Sequence, residues 1–211
     1  DLGQALYIGG IDHETGEATR RIETFDTATR QWVPTALPQL PFPSRDVSTA
    51  YDTLRSELVT TPGQGLDPPA SDQLLILNLE GPSGWRFGPA LPEPLLSARA
   101  AYAFPHHVVV VGYGQPNIGE EGSLILKAFV LDRRTSVLRS TSRFIIPEDQ
   151  AAPVLLQAHS DGKVYALIPK LGQRSKFFVV DPEQASFVEV PTAFDLFALR
   201  DSEDFPIVSF A

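Results

Sequence analysis

Apolar positions along the chain come in short runs: Ala5–Ile8, Leu74–Leu77, Val108–Val111, Leu124–Leu131, Val164–Ile168 and Phe177–Val180. Each run is four to eight residues long and is bounded by turn-forming residues. None extends into a helical period, so each is read as a strand. The 19 prolines and 15 glycines punctuate the chain too often for long helices. The pattern predicts an all-β sandwich, barrel or propeller.

An internal repeat selects among these. The clearest unit runs Leu6-Tyr7-Ile8-Gly9-Gly10, then Phe25-Asp26, then Trp32, then Pro43-Ser44-Arg45. The pair Phe25 and Trp32 is followed by Leu79 and Trp85, Leu131 and Leu138, and Val180 and Phe187. The acid after the first member recurs as Asp26, Glu80, Asp132 and Asp181. Successive second members are 53, 53 and 49 residues apart, a period that suits one four-stranded sheet with its loops. Arg45, Arg99 and Arg200 share a phase after these positions, with Ala151 in the third repeat.

These residues resemble the kelch repeat. The resemblance implies a β-propeller of about four four-stranded blades. It runs over nearly the whole chain but unevenly: repeat one carries the full motif, whereas repeat four has Leu167-Ile168-Pro169 where diglycine would stand. On physical grounds Asp26–Arg30 is a turn, and Phe25 or Trp32 is placed to fill the wedge between neighbouring blades. Gly9 and Gly10 mark crowded backbone or positive φ, and Asp161-Gly162 marks a hairpin. The C-terminal run Pro206–Ala211 is expected to pair with the N-terminal strands and close the ring, residues 1–211 forming one domain. A fragment of a larger propeller is the other reading. The long stretches Ile11–Arg20, Gly63–Asp72 and Gln115–Gly122 occupy equivalent inter-strand positions, so they are expected on one rim, where binding loops collect.

Charge narrows the partners. The formal net charge is −9, which disfavours nucleic acid and anionic membranes. The run Val108–Val111 is far too short to span a bilayer, so no membrane insertion is expected. There is no cysteine, which removes disulfides and thiolate chemistry. It also removes the cysteine-modified tyrosine of the galactose-oxidase-like kelch enzymes. There is no methionine, which points to a processed secreted or cell-surface protein, an excised domain or an edited sequence, with the cytoplasm left open.

Little else carries chemistry. His13, His106, His107 and His159 show no metal-ligand spacing and are read as turn or surface imidazoles; a cation held by Asp12, His13 and Glu14 is the minor alternative. Ser160-Asp161-Gly162 matches only part of a sialidase Asp-box. The sialic-acid mutarotases, another kelch group, share repeats with this chain but no site motif. Arg45, Arg99 and Arg200 could line a cationic funnel for a carboxylate or sulfate, with Tyr113 beside them; the competing role is to staple neighbouring blades. The expected function is a binding or scaffold module holding a protein or carbohydrate partner through rim loops, with no cofactor or metal. The alternatives are an epimerase, lyase or hydrolase using Arg99, Tyr113 and Glu120, and a structural subunit of a larger assembly.

Overall fold

A computed structural model of the chain describes residues 3–61, 63, 72–81, 84–115, 122–169 and 175–191. The described residues form an all-β fold of four antiparallel sheets, with no α-helix and a single 3-10 turn at Glu148–Gln150. In the first sheet β1 (Gln4–Ile8), β2 (Ile22–Asp26) and β3 (Gln31–Val33) run in chain order. The second contains β4 (Thr49–Asp52), β5 (Glu57–Thr60), β6 (Gln73–Asn78) and β7 (Arg86–Ala90). The third contains β8 (Leu96–Ala103), β9 (His107–Gly114), β10 (Ser123–Asp132) and β11 (Val137–Pro147). The fourth contains β12 (Leu155–Ala158), β13 (Val164–Ile168), β14 (Lys176–Asp181) and β15 (Ser186–Val190). The period near fifty is therefore one meandering sheet.

Two compact units make up the chain, Asp1–Pro94 and Leu95–Ala211. In the second unit, Ala101, Val109, Val111, Leu126 and Val130 of the third sheet face Val164, Ala166, Phe178, Val180 and Phe187 of the fourth, in one buried cluster. Phe144, Phe178 and Phe187 meet with ring centroids 4.9–5.3 Å apart, within the range that favours tilted and edge contacts. β12 lies beside β8 and β15 beside β11, so first strand stacks on first and last on last. In the first unit, Leu40 is fully buried and the Trp85 indole donates to the Pro38 carbonyl at 2.9 Å.

Cross-strand register explains the repeat. Phe25 pairs with Trp32, Leu131 with Leu138 and Val180 with Phe187. Each pair closes a hairpin that opens on Asp26, Asp132 or Asp181. The carboxylate accepts backbone N–H bonds inside the turn: from Ala28 and Thr29, from Arg134, and from Glu183 and Gln184. Four residues after the Asp, the backbone turns left-handed at Arg30 (φ 56°), Ser136 (59°) and Ala185 (50°). The same turn recurs at Asp52–Ser56 (φ 51°) between β4 and β5, and at Asp12–Gly16 (φ 72°) between β1 and β2.

Several expectations are corrected. In the second repeat Ile76 pairs with Arg86, so the residue opposite Trp85 is Leu77, not Leu79. The turn there is capped by Asn78, which accepts the Glu80 amide at 2.8 Å; the longer loop 79–84 moves the acid out of register. Trp32 fills no wedge, for it is 61% exposed, edge-on to Phe25 at 5.3 Å. The Asp161-Gly162 hairpin forms, with Ser160 added to the loop: His159 N–H bonds the Lys163 carbonyl, and Gly162 adopts φ 80°. β1 to β3 correspond to the second, third and fourth strands of the other sheets, because the β2–β3 hairpin matches β10–β11 and β14–β15. The strand expected beside β1 from Pro206–Ala211 lies outside the described residues.

Candidate functional site

The diglycine of repeat one sits where backbones crowd. Gly9 has φ 69°, and a Cβ there would lie 2.6 Å from the Ser44 carbonyl oxygen. Any larger residue would push apart the junction that holds the Ile11–Arg20 loop. Gly10 (φ 105°) donates its N–H to that same Ser44 oxygen at 2.8 Å, and Ser44 donates to the Thr19 carbonyl at 3.0 Å. The loop is braced internally as well. Asp12 accepts the Glu14 and Thr15 amides and lies 3.8 Å from Arg21. The Thr15 and Glu14 amides, and more weakly Arg21, hold the Asp12 carboxyl below its ordinary pKa. That carboxylate is thus committed to the turn, and among the described residues no cluster of His, Asp and Glu could hold a metal ion.

Arg45 follows Ser44 and is exposed. Its carbonyl oxygen lies against Gly63, where a Cβ would collide with it. Arg99 is placed differently, inside β8 and half-buried, opposite Val111. Strand register sets Arg45 level with Leu96, three residues before Arg99. Two left-handed residues occur at this level, Asp46 (φ 56°) after Arg45 and Ser97 (φ 49°) after Leu96. The two arginines therefore do not share a structural phase. Arg45 belongs to the first unit and Arg99 to the second. Arg200 lies outside the described residues, as do Glu120 and most of the Gly63–Asp72 and Gln115–Gly122 loops.

Arg99 and Tyr113 do come to one face at one end of the third sheet, since Arg99 pairs with Val111, two residues before Tyr113 on β9. The Arg99 guanidinium donates to the Ala98 carbonyl at 3.0 Å. Tyr113 is buried, and its hydroxyl donates to the Ala152 carbonyl at 2.7 Å. Burial raises the phenol pKa above its ordinary value, more than that hydrogen bond lowers it. The ring is a brace between the third sheet and the segment entering the fourth.

The other end of this sheet holds a charged cluster that sequence reasoning missed. His107 was expected at the surface but is 2% exposed, with Nε2 buried and unpaired. It opens β9, whose eight residues are all buried, so it shares the environment of the valines after it. Burial lowers its pKa, against the opposing pull of Glu183 (3.8 Å from Nδ1) and Asp132. Arg134 bonds Asp132 through its side chain and amide, which brings the Asp132 pKa to about 2. Arg139 donates to the Pro182 and Glu183 carbonyls at 2.6 and 3.2 Å, so a side chain of β11 clamps the β14–β15 turn. The signal available in the sequence was the unbroken apolar run beginning directly after His107.

Comparison with known proteins adds one fact. No family model and no curated protein matches the chain. A solved structure does. The chain is similar to the structure of YjhT with a TM-score of 0.52 at 14% sequence identity, over 74% of this chain and 52% of that one. At that identity the likeness concerns the fold alone. The chain spans about half the length of the YjhT structure it matches.

Proposed function

We propose that this chain is a kelch-like β-propeller segment of four blades that serves as a binding module for a protein or carbohydrate partner. The observation that carries the reading is the stacking of like strand on like strand in the second unit, together with the fifty-residue meander that repeats through both units. In such a stack, loops at equivalent positions fall on one edge, and the Ile11–Arg20 loop is built as a braced, presented element of that kind. Arg45 in the first unit and Arg99 in the second are each a separate candidate cationic group for an acidic ligand in an acidic protein. Tyr113 contributes by holding the sheet that carries Arg99, not by touching the ligand.

A glycan array combined with affinity capture, run on the chain and on Arg45→Ala and Arg99→Ala, tests this. The expected result is a carboxylate- or sulfate-bearing ligand whose binding falls in one or both variants while the melting temperature stays unchanged. Loss of stability without a change in binding would make the arginines structural. Absence of any captured ligand, protein or glycan, would reject the binding-module reading.

A further inference from the structure

His107 is a buried ionisable side chain whose hydrogen bonding is incomplete. It is 2% exposed, and its Nε2 has no hydrogen-bond partner among the described residues. Nδ1 lies 3.8 Å from a carboxylate oxygen of Glu183, whose side chain is 70% exposed. The ring therefore sits at a seam, with the end of the third sheet on one side and the β14–β15 turn on the other. Charged groups approach it from several elements. Asp132 at the end of β10 and Glu183 in the turn draw a proton toward the ring, while Arg139 of β11 and Arg134 of the β10–β11 turn repel one. β8 places the apolar Ala103 opposite it. Arg139 also fastens the seam, because its guanidinium donates to the Pro182 and Glu183 carbonyls. A neutral imidazole carries its proton on one nitrogen and a lone pair on the other. The nearby carboxylate favours the proton on Nδ1, so Nε2 is the bare nitrogen and the one that must take up a second proton.

We infer that His107 and Glu183 form an acid-released catch between the third sheet and the β14–β15 turn. With the ring neutral, the Nδ1 proton faces Glu183 and the seam is shut. In acid the new proton lands on Nε2, which becomes a buried N–H without an acceptor on a charged ring. Such a donor is costly. The two acids do not offset the cost, since Glu183 faces the other nitrogen and Asp132 is bonded to Arg134. Solvent reaches Nε2 once the turn swings off the sheet and Arg139 releases the two carbonyls, so opening is coupled to proton uptake. The freed imidazole titrates near the ordinary histidine value of about 6.5, whereas burial holds the closed ring lower. Between those two values the ratio of open to closed rises by up to about tenfold for each unit of falling pH. Above about pH 6.5 the catch stays shut. The sheets behind it pack through Val109, Val111, Val180 and Phe187, a contact the seam does not share, so the turn opens without unfolding the unit. The catch works whichever ligand the loops hold.

NMR of the whole chain between about pH 7.5 and about pH 5 provides the test. Imidazole nitrogen shifts, with His107 assigned through His107→Gln, should show the Nδ1–H tautomer at the upper end. Amide hydrogen exchange, taken relative to unstructured-peptide rates, should show the β14–β15 turn losing protection by up to about tenfold per pH unit below about pH 6.5. Low urea should leave that opening unchanged, whereas Val109–Val111 should exchange more slowly and with the urea dependence of global unfolding. His107→Gln should remove the pH dependence at the turn. Glu183→Gln, at an exposed side chain, should give a mixture of both tautomers and lower the protection of the turn already at about pH 7.5. An Nε2–H tautomer in the unaltered chain overturns the inference. So does protection at the turn that is flat with pH, that follows the urea dependence of Val109–Val111, or whose pH dependence survives His107→Gln.

Discussion

Phe187→Ala isolates the contact on which the second unit is built. The ring is 1% exposed and lies 5.0 Å from Phe144 and 5.3 Å from Phe178. Truncating a buried phenylalanine costs about 3–5 kcal/mol through lost transfer energy and the cavity left behind. The two ring contacts account for roughly 0.5–1.5 kcal/mol each of that sum. The loss is a large fraction of an ordinary folding stability of about 5–15 kcal/mol. Urea unfolding followed by far-UV circular dichroism is the assay, because both tryptophans, Trp32 and Trp85, lie in the first unit. Trp32→Ala, at the equivalent repeat position, provides the control. Measured in dilute solution, it should cost less than about 1 kcal/mol, since most of the ring is already in water. A loss below about 1 kcal/mol for Phe187→Ala, or equal losses for the two variants, would refute the packing assignment.

Other substitutions probe single features. Tyr113→Phe strips a donor from the partly buried Ala152 carbonyl and should cost about 0.5–1.5 kcal/mol in urea unfolding. Ala185→Gly relieves a left-handed alanine and should raise stability by about 0.5–1 kcal/mol, the strain released less the added chain entropy, seen as a higher melting temperature. His107 is held neutral by burial, so its pKa is lower folded than unfolded. The unfolded chain then binds the extra proton, and stability falls as pH drops from about 6.5 toward the depressed value. His107→Gln should flatten that slope when denaturant midpoints are compared across the window.

Much of the architecture was legible because the residues that set it are local. Asp26, Asp132 and Asp181 announce their turns by type and spacing, and Gly9 and Gly10 by the conformations only glycine tolerates. What escaped depends on partners distant in the chain. Nothing near Trp32 in sequence says that its ring is largely exposed while that of Phe187 is buried. The shared phase of Arg45 and Arg99 failed because the segment after the hairpin is shorter in the second repeat: Arg45 lies 13 positions after Trp32, whereas its counterpart Leu96 lies 11 after Trp85. His107 was misplaced because a histidine's own polarity says less about burial than the strand it begins. Of the candidate site, Arg99 and Tyr113 share one face of the third sheet, but the tyrosine's commitment to Ala152 spans 39 positions and has no local sign.

The five Asp-led reversals have an evolutionary corollary. Their fifth positions are Gly16, Arg30, Ser56, Ser136 and Ala185, which share a backbone angle and no common letter. A carboxylate at one end and a tolerated dihedral at the other are enough to keep each bend, so the three residues between can drift almost independently. Copies of such a module lose alphabetic likeness long before they lose shape. Kinship among chains of this type is therefore better sought through paired constraints, an acceptor here and a permissive angle four steps on, than through shared words.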